Sequence, residues 1–109
     1  MTLISWTIKR LCLEVDLPER LHAIVEGSVQ GVGFQAFVID QARRFGVSGW
    51  VRNRWDTSVE VCAEGEHSIL ERLLEVLKRG PAAAYVREVH VEWQAASGEF
   101  KDFRVRSSL

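Results

Sequence analysis

The sequence predicts an α+β fold, a split βαβ sandwich with two helices on one face of an antiparallel sheet. Two observations carry this expectation. Stretches whose apolar residues recur every second position and stretches with helical spacing follow one another in the order β-α-β-β-α-β, with one more strand at the end. The chain is also long enough, at 109 residues, to bury a core without metal or disulfide staples.

Each element has its own signal. Residues 11–17 alternate apolar and polar side chains up to Pro18, so residues 1–18 read as an N-terminal leader or an extra strand, and 19–109 as the folded domain. Leu21, Ala23 and Val25 alternate with His22, Ile24 and Glu26, giving a strand that ends at Gly27. Phe34, Phe37, Val38, Ala42 and Phe45 fall on one helical face, which Gly46 terminates. Residues 47–53 and 58–64 form two strands around the turn-like "RWDT", and "EHSILERLLEVLKRG" is an amphipathic helix with Ile69, Leu70, Leu73, Leu74 and Leu77 on its apolar face. Residues 85–93 and 100–106 are the last strands, separated by "AASGE". Right-handed crossovers set the first and third core strands side by side, with the loop after the first strand at one end of the sheet.

Bulk properties narrow the function. Lys and Arg number 14 against 15 Asp and Glu, a formal net charge of −1, so no sequence-wide basic field calls for nucleic acid. The basic pair Lys9 and Arg10 follows the N-terminal apolar run instead of preceding it, and no segment reaches the roughly 20 apolar residues of a membrane span. Cys12 and Cys62 lack metal-ligand spacing and read as free thiols, with a disulfide the lesser alternative. His22, His67 and His90 show no metal spacing either, while Trp50, Trp55 and Trp93 read as packing residues. The expectation is a cytoplasmic monomer with a small soluble partner, needing no metal or cofactor and binding neither membrane nor nucleic acid.

The stretch "GSVQGVGF" carries the chemistry. It joins a strand to a helix start, where unpaired backbone N–H groups and the helix dipole favour an anion, and its glycines at 31 and 33 can take left-handed conformations. It lacks the Gly-Lys-Ser/Thr ending of a nucleotide-binding phosphate loop and the acidic partner of a dinucleotide fingerprint. Read alone, it is a tight strand-to-helix turn.

A second motif, "GVSGWVRN", follows the helix, and the two together resemble the acylphosphatase family, whose signatures run Gly-x-Val-Gln-Gly-Val-x-Phe-Arg and Gly-Trp-Val-x-Asn. The matching positions are residues 27–32 with Phe34, and Gly49 to Asn53. The resemblance implies a ferredoxin-like fold and a metal-free hydrolase that splits an acyl phosphate into carboxylate and phosphate. It also implies that the backbone of Gln30, Gly31, Val32, Gly33, Phe34 and Gln35 binds the phosphate, and that Asn53 orients the attacking water. The ligands would be an acyl phosphate, inorganic phosphate or sulfate.

Two departures stand out. Gln35 occupies the place of the family's phosphate-clamping arginine and offers an amide without charge. Strand alternation turns Arg52 and Arg54 away from the face of Asn53, and Arg43 and Arg44 lie more than two turns down the helix. Thr57 replaces the glycine of an Asp-Gly hairpin, so that turn is of another type or strained. The expected activity is an impaired acylphosphatase. The alternative is a non-catalytic anion-binding or interaction module on the same fold.

Overall fold

The computed structural model describes residues 17–109. Its element order is β1 (Pro18–Ser28), α1 (Phe34–Phe45), β2 (Ser48–Asn53), β3 (Val59–Glu66), α2 (His67–Arg79), β4 (Tyr85–Ala95) and β5 (Phe103–Val105). The five strands form one sheet in the order β4-β1-β3-β2-β5, so the first and third strands are neighbours, as the crossover rule requires. The fold is the ferredoxin-like α+β sandwich expected from the element order. Cys12 and the alternating residues 11–16 lie outside the described residues. Pro18 opens β1 instead of punctuating a preceding strand.

The core follows from strand periodicity. Leu21, Ala23 and Val25 of β1, Val51 of β2, and Val59, Val61 and Ala63 of β3 point to one face and are fully buried. Phe34, Val38 and Ala42 of α1 and Leu70, Leu73 and Leu77 of α2 meet them from the helical layer. Each fully buried Val, Leu or Phe contributes about 1.5–3 kcal/mol of apolar transfer energy, so this layer holds the sheet and both helices in one register.

The opposite sheet face carries ion pairs instead of apolar cover. Arg20 bonds Glu64 at 2.7 Å, and His22 and Arg52 converge on Glu60 at 2.6 and 2.7 Å. Burial pushes both carboxyls up. Bonds from His22 and Arg52 to Glu60, and from the Ser97 and Gly98 N–H groups and Arg20 to Glu64, more than offset this and leave both below the usual carboxylate range. Cys62 lies buried between them in sequence, its thiol pushed up by burial.

Three details depart from the sequence expectation. β1 runs through Gly27 to Ser28 with a register shift at Glu26/Gly27, because Gly27 is a point of close approach and not a stop: a Cβ there would sit 2.1 Å from the Tyr85 carbonyl oxygen. β5 is only three residues long and pairs parallel with β2, so the sheet is mixed and not wholly antiparallel. Strand parity explains this, since the chain reverses after β4 and crosses to the other edge, where the reversed direction is that of β2. Finally, Trp55 is 81% exposed at the β2–β3 turn and is not part of a packed face, whereas Trp50 lies under Arg52 and Arg106, and Trp93 stacks near His67.

The β2–β3 turn uses another geometry and is strained as well. The Thr57 N–H donates to the Arg54 carbonyl at 3.1 Å, and Asp56 Oδ1 accepts from both the N–H and the hydroxyl of Ser58. Thr57 closes the turn at φ 74°, and is the only non-glycine residue at positive φ among the described residues. A β-branched residue there costs about 1–2 kcal/mol, and a glycine would return roughly 0.5–1 kcal/mol of that as backbone entropy. Thr57→Gly is therefore expected to raise stability by about 0.5–1 kcal/mol, read as a higher urea midpoint at unchanged slope. A lower midpoint would show that Thr57 is not strained.

Candidate active site

The fold gathers both sequence motifs at one end of the sheet. Because β1 and β3 are antiparallel, with Val25 opposite Val59, the loop leaving β1 lies beside the turn entering β3. Gln30 fastens the two: its Nε2 donates to the Arg54 carbonyl at 2.7 Å and to the Ser58 carbonyl at 2.8 Å. The Gln30 side chain thus serves the scaffold and leaves only the residue's backbone for a ligand.

Beyond Gln30 the chain turns through Gly31 and Gly33, at φ 74° and 78°, into α1. Space is open around both, so their glycine requirement is one of backbone conformation, not of crowding. Gly33 caps α1 without any side-chain hydrogen bond, and its carbonyl accepts the first helical bond, from the Phe37 N–H at 2.9 Å. The N–H groups of Phe34, Gln35 and Ala36 precede that bond and have no intrahelical partner. No acidic side chain occupies the first turn, so nothing on the helix itself neutralises its positive end.

These donors open on a cavity of about 310 Å³ lined by Val29, Gly31, Gly33, Phe34, Gln35, Ala36 and Asn53. Asn53 thus joins the loop across the cavity, as the paired motifs imply. Its Oδ1 is a buried acceptor with no hydrogen-bond partner, a condition that costs about 1–3 kcal/mol unless a ligand or water donates to it. The Asn53 main chain is held by its pairing with Val59 and by the Leu109 N–H, which donates to its carbonyl at 3.1 Å.

Cations are conspicuous by their other engagements. Arg52 and Arg54 turn to the open sheet face, where Glu60 Oε1 lies 2.7 Å from Arg52 Nε and 3.4 Å from Arg54 Nη1. Arg43 donates to the Phe103 carbonyl at 3.2 Å, and Arg44 pairs with Asp40 at 2.9 Å. None of these four lines the cavity, and Gln35 stands there as an uncharged amide. A second cavity, about 350 Å³, lies between Trp50 and the segment from Glu99 to Arg106, and no helix N-terminus opens on it.

Sequence reasoning found the loop, Gln35 and Asn53. It missed Val29 and Ala36 on the cavity wall, although Ala36 follows directly from a helix that starts at Phe34. It also missed the Arg54 and Ser58 carbonyls as anchors, which only the strand register brings to Gln30.

Gln30→Ala is expected to cost about 1–3 kcal/mol, because two hydrogen bonds of about 0.5–1.5 kcal/mol each are lost, while the Arg54 and Ser58 carbonyls keep their backbone donors, the Thr57 and Arg54 N–H groups. Hydrogen exchange should quicken both in the loop after β1 and in the turn before β3. Faster exchange in one segment alone would show that Gln30 does not couple them.

The comparisons agree with this arrangement. The acylphosphatase family model matches residues 21–105. An acylphosphatase of Anaeromyxobacter sp. is 51% identical over 87 residues, covering 80% of this chain and 94% of the relative. One from Pelotomaculum thermopropionicum is 46% identical over 86 residues, covering 79% and 94%. The crystal structure of acylphosphatase from Bacillus subtilis superposes with a TM-score of 0.78 at 34% identity, covering 81% of this chain and 98% of that one. Among the described residues no helix is long and apolar enough to cross a membrane. With the loop, the helix start and Asn53 gathered on one cavity, and with these likenesses spanning most of each chain, the protein belongs to the acylphosphatase family.

Proposed function

We propose that the chain hydrolyses an acyl phosphate to a carboxylate and inorganic phosphate, at a rate limited by Gln35. The observation that carries this reading is the single cavity lined both by the residues at the start of α1 and by Asn53. In it, the backbone from Gln30 to Gln35 holds the phosphoryl oxygens and the side-chain amide of Asn53 orients the attacking water. The water oxygen bonds to phosphorus as the bond from phosphorus to the acyl oxygen breaks, and the water proton leaves with the phosphate product. A carboxylate is a good leaving group, so orientation and charge stabilisation are the main contributions required of the protein.

Charge stabilisation is where the site is weakest. Backbone donors and a helix dipole stabilise a nearby anion by about 0.3–1 kcal/mol in exposed settings, whereas a preorganised charge-stabilising group is worth about 10²–10³ in rate. Among the described residues no cation lines the cavity, which favours a second reading, a phosphate-binding module without turnover.

Hydrolysis of benzoyl phosphate separates the two readings. Slow turnover is expected for the chain as given, a gain of about 10²–10³ for Gln35→Arg, and loss of that gain when Asn53→Ala is added. If arginine restores nothing while the variant stays folded and binds phosphate, the hydrolase reading fails and the binding module stands.

A further inference from the structure

We propose that Trp55 is the residue that selects the acyl group, and that the group it selects is uncharged and aromatic, an inference that rests on the acyl phosphate reading above. The cavity, at about 310 Å³, falls within the range of sites that take small organic molecules, about 300–1,000 Å³. A phosphoryl group on the donors at the start of α1 leaves much of that space for the acyl group. The wall that remains is apolar or neutral, formed by Val29, Phe34, Ala36, Gln35 and Asn53, and no ionisable side chain among the described residues lines it. An acyl group with a charge of its own would lose water there without gaining a partner, whereas an apolar one loses nothing.

Trp55 stands where such a group leaves the cavity. Asn53 is the last residue of β2 to pair with β3, yet the chain stays extended beyond it. The Leu109 N–H donates to the Asn53 carbonyl at 3.1 Å and the Trp55 N–H to the Leu109 carbonyl at 2.8 Å, the two bonds of a parallel bridge across Arg54. Alternation therefore sets Asn53 and Trp55 on one side of the strand and Arg54 on the other, and Arg54 does reach Glu60 on the open sheet face. Trp55 is thus the next side chain outward from Asn53 on the side that carries the cavity. Its backbone is held firmly, since Gln30 Nε2 and the Thr57 N–H both donate to the Arg54 carbonyl, at 2.7 and 3.1 Å. Its side chain is nevertheless 81% exposed. An indole carried on an ordered backbone beside an apolar cavity offers a stacking surface whose backbone ordering is already complete before the ligand arrives.

Calorimetric binding of acylmethylphosphonates, in which a methylene replaces the bridging oxygen and blocks hydrolysis, tests this without any turnover. For the chain as given, phenacylphosphonate is expected to bind more tightly than acetonylphosphonate, and the analogue with a succinyl group, which adds a carboxylate, more weakly than phenacylphosphonate. Trp55→Ala should lower the preference for phenacyl over acetonyl about three- to tenfold, the worth of one aromatic contact, and Trp55→Phe should keep most of it. A preference that survives Trp55→Ala undiminished, or a succinyl analogue that binds as tightly as the phenacyl one, would overturn the proposal while leaving the phosphate site standing. So would an equal loss of affinity for inorganic phosphate in Trp55→Ala, which would mean that Trp55 supports the turn and not the acyl group. If neither inorganic phosphate nor any phosphonate binds the folded chain, the acyl phosphate reading itself fails.

Discussion

The antiparallel pairing of β1 with β3 is the constraint on which the site depends. Val25 opposite Val59 fixes the end of one strand against the start of the other, so the loop after β1 and the turn before β3 must share one end of the sheet. Buried valines hold that register, because a slip by one residue would turn Leu21, Ala23 and Val25 to the charged face and His22 and Ile24 into the core. Gln30 then links the loop to the turn through the Arg54 and Ser58 carbonyls. Asn53, two positions before the tip of that turn, thereby faces a helix start that belongs to a distant stretch of chain.

What the scaffold builds is a site of neutral donors and acceptors. The cations that flank it in sequence are all engaged elsewhere: Arg52 and Arg54 with Glu60, Arg43 with the Phe103 carbonyl, Arg44 with Asp40. Recruiting Arg52 would leave the buried Glu60 short of a partner, which is expensive for a carboxylate only 5% exposed. The arrangement can position a phosphoryl group with little charge compensation. In the proposed function, position 35 governs the chemistry while the fold remains unaltered, since Gln35 is only half-buried at the first turn of α1 and supports none of the core.

Much of this was legible in the sequence because it is local. The helix start at Phe34, the glycines at 31 and 33 and the alternation that turns Arg52 and Arg54 from Asn53 are consequences of period and backbone conformation. Thr57 was also legible as an anomaly, and its positive φ shows how the chain resolved it. The parts that were not legible depend on distant pairing. The run of β1 through Gly27 needs β4 beside it, the parallel pairing of β5 needs the edge left free by β2, and the anchoring role of Gln30 needs the β1–β3 register. The exposure of Trp55 has the same origin: its period suits a packed face, but the turn carries it beyond the last paired residue.

The central claim is that the start of α1 and Asn53 form one anion site. Backbone amide resonances followed during titration with inorganic phosphate address it directly. The account predicts that the amides from Gly31 to Ala36 and the side-chain amide of Asn53 shift together, with one saturation curve, while the cavity beside Trp50 stays silent. Shifts confined to Lys101, Arg104 and Arg106 around that second cavity, or loop shifts that saturate independently of Asn53, would contradict it.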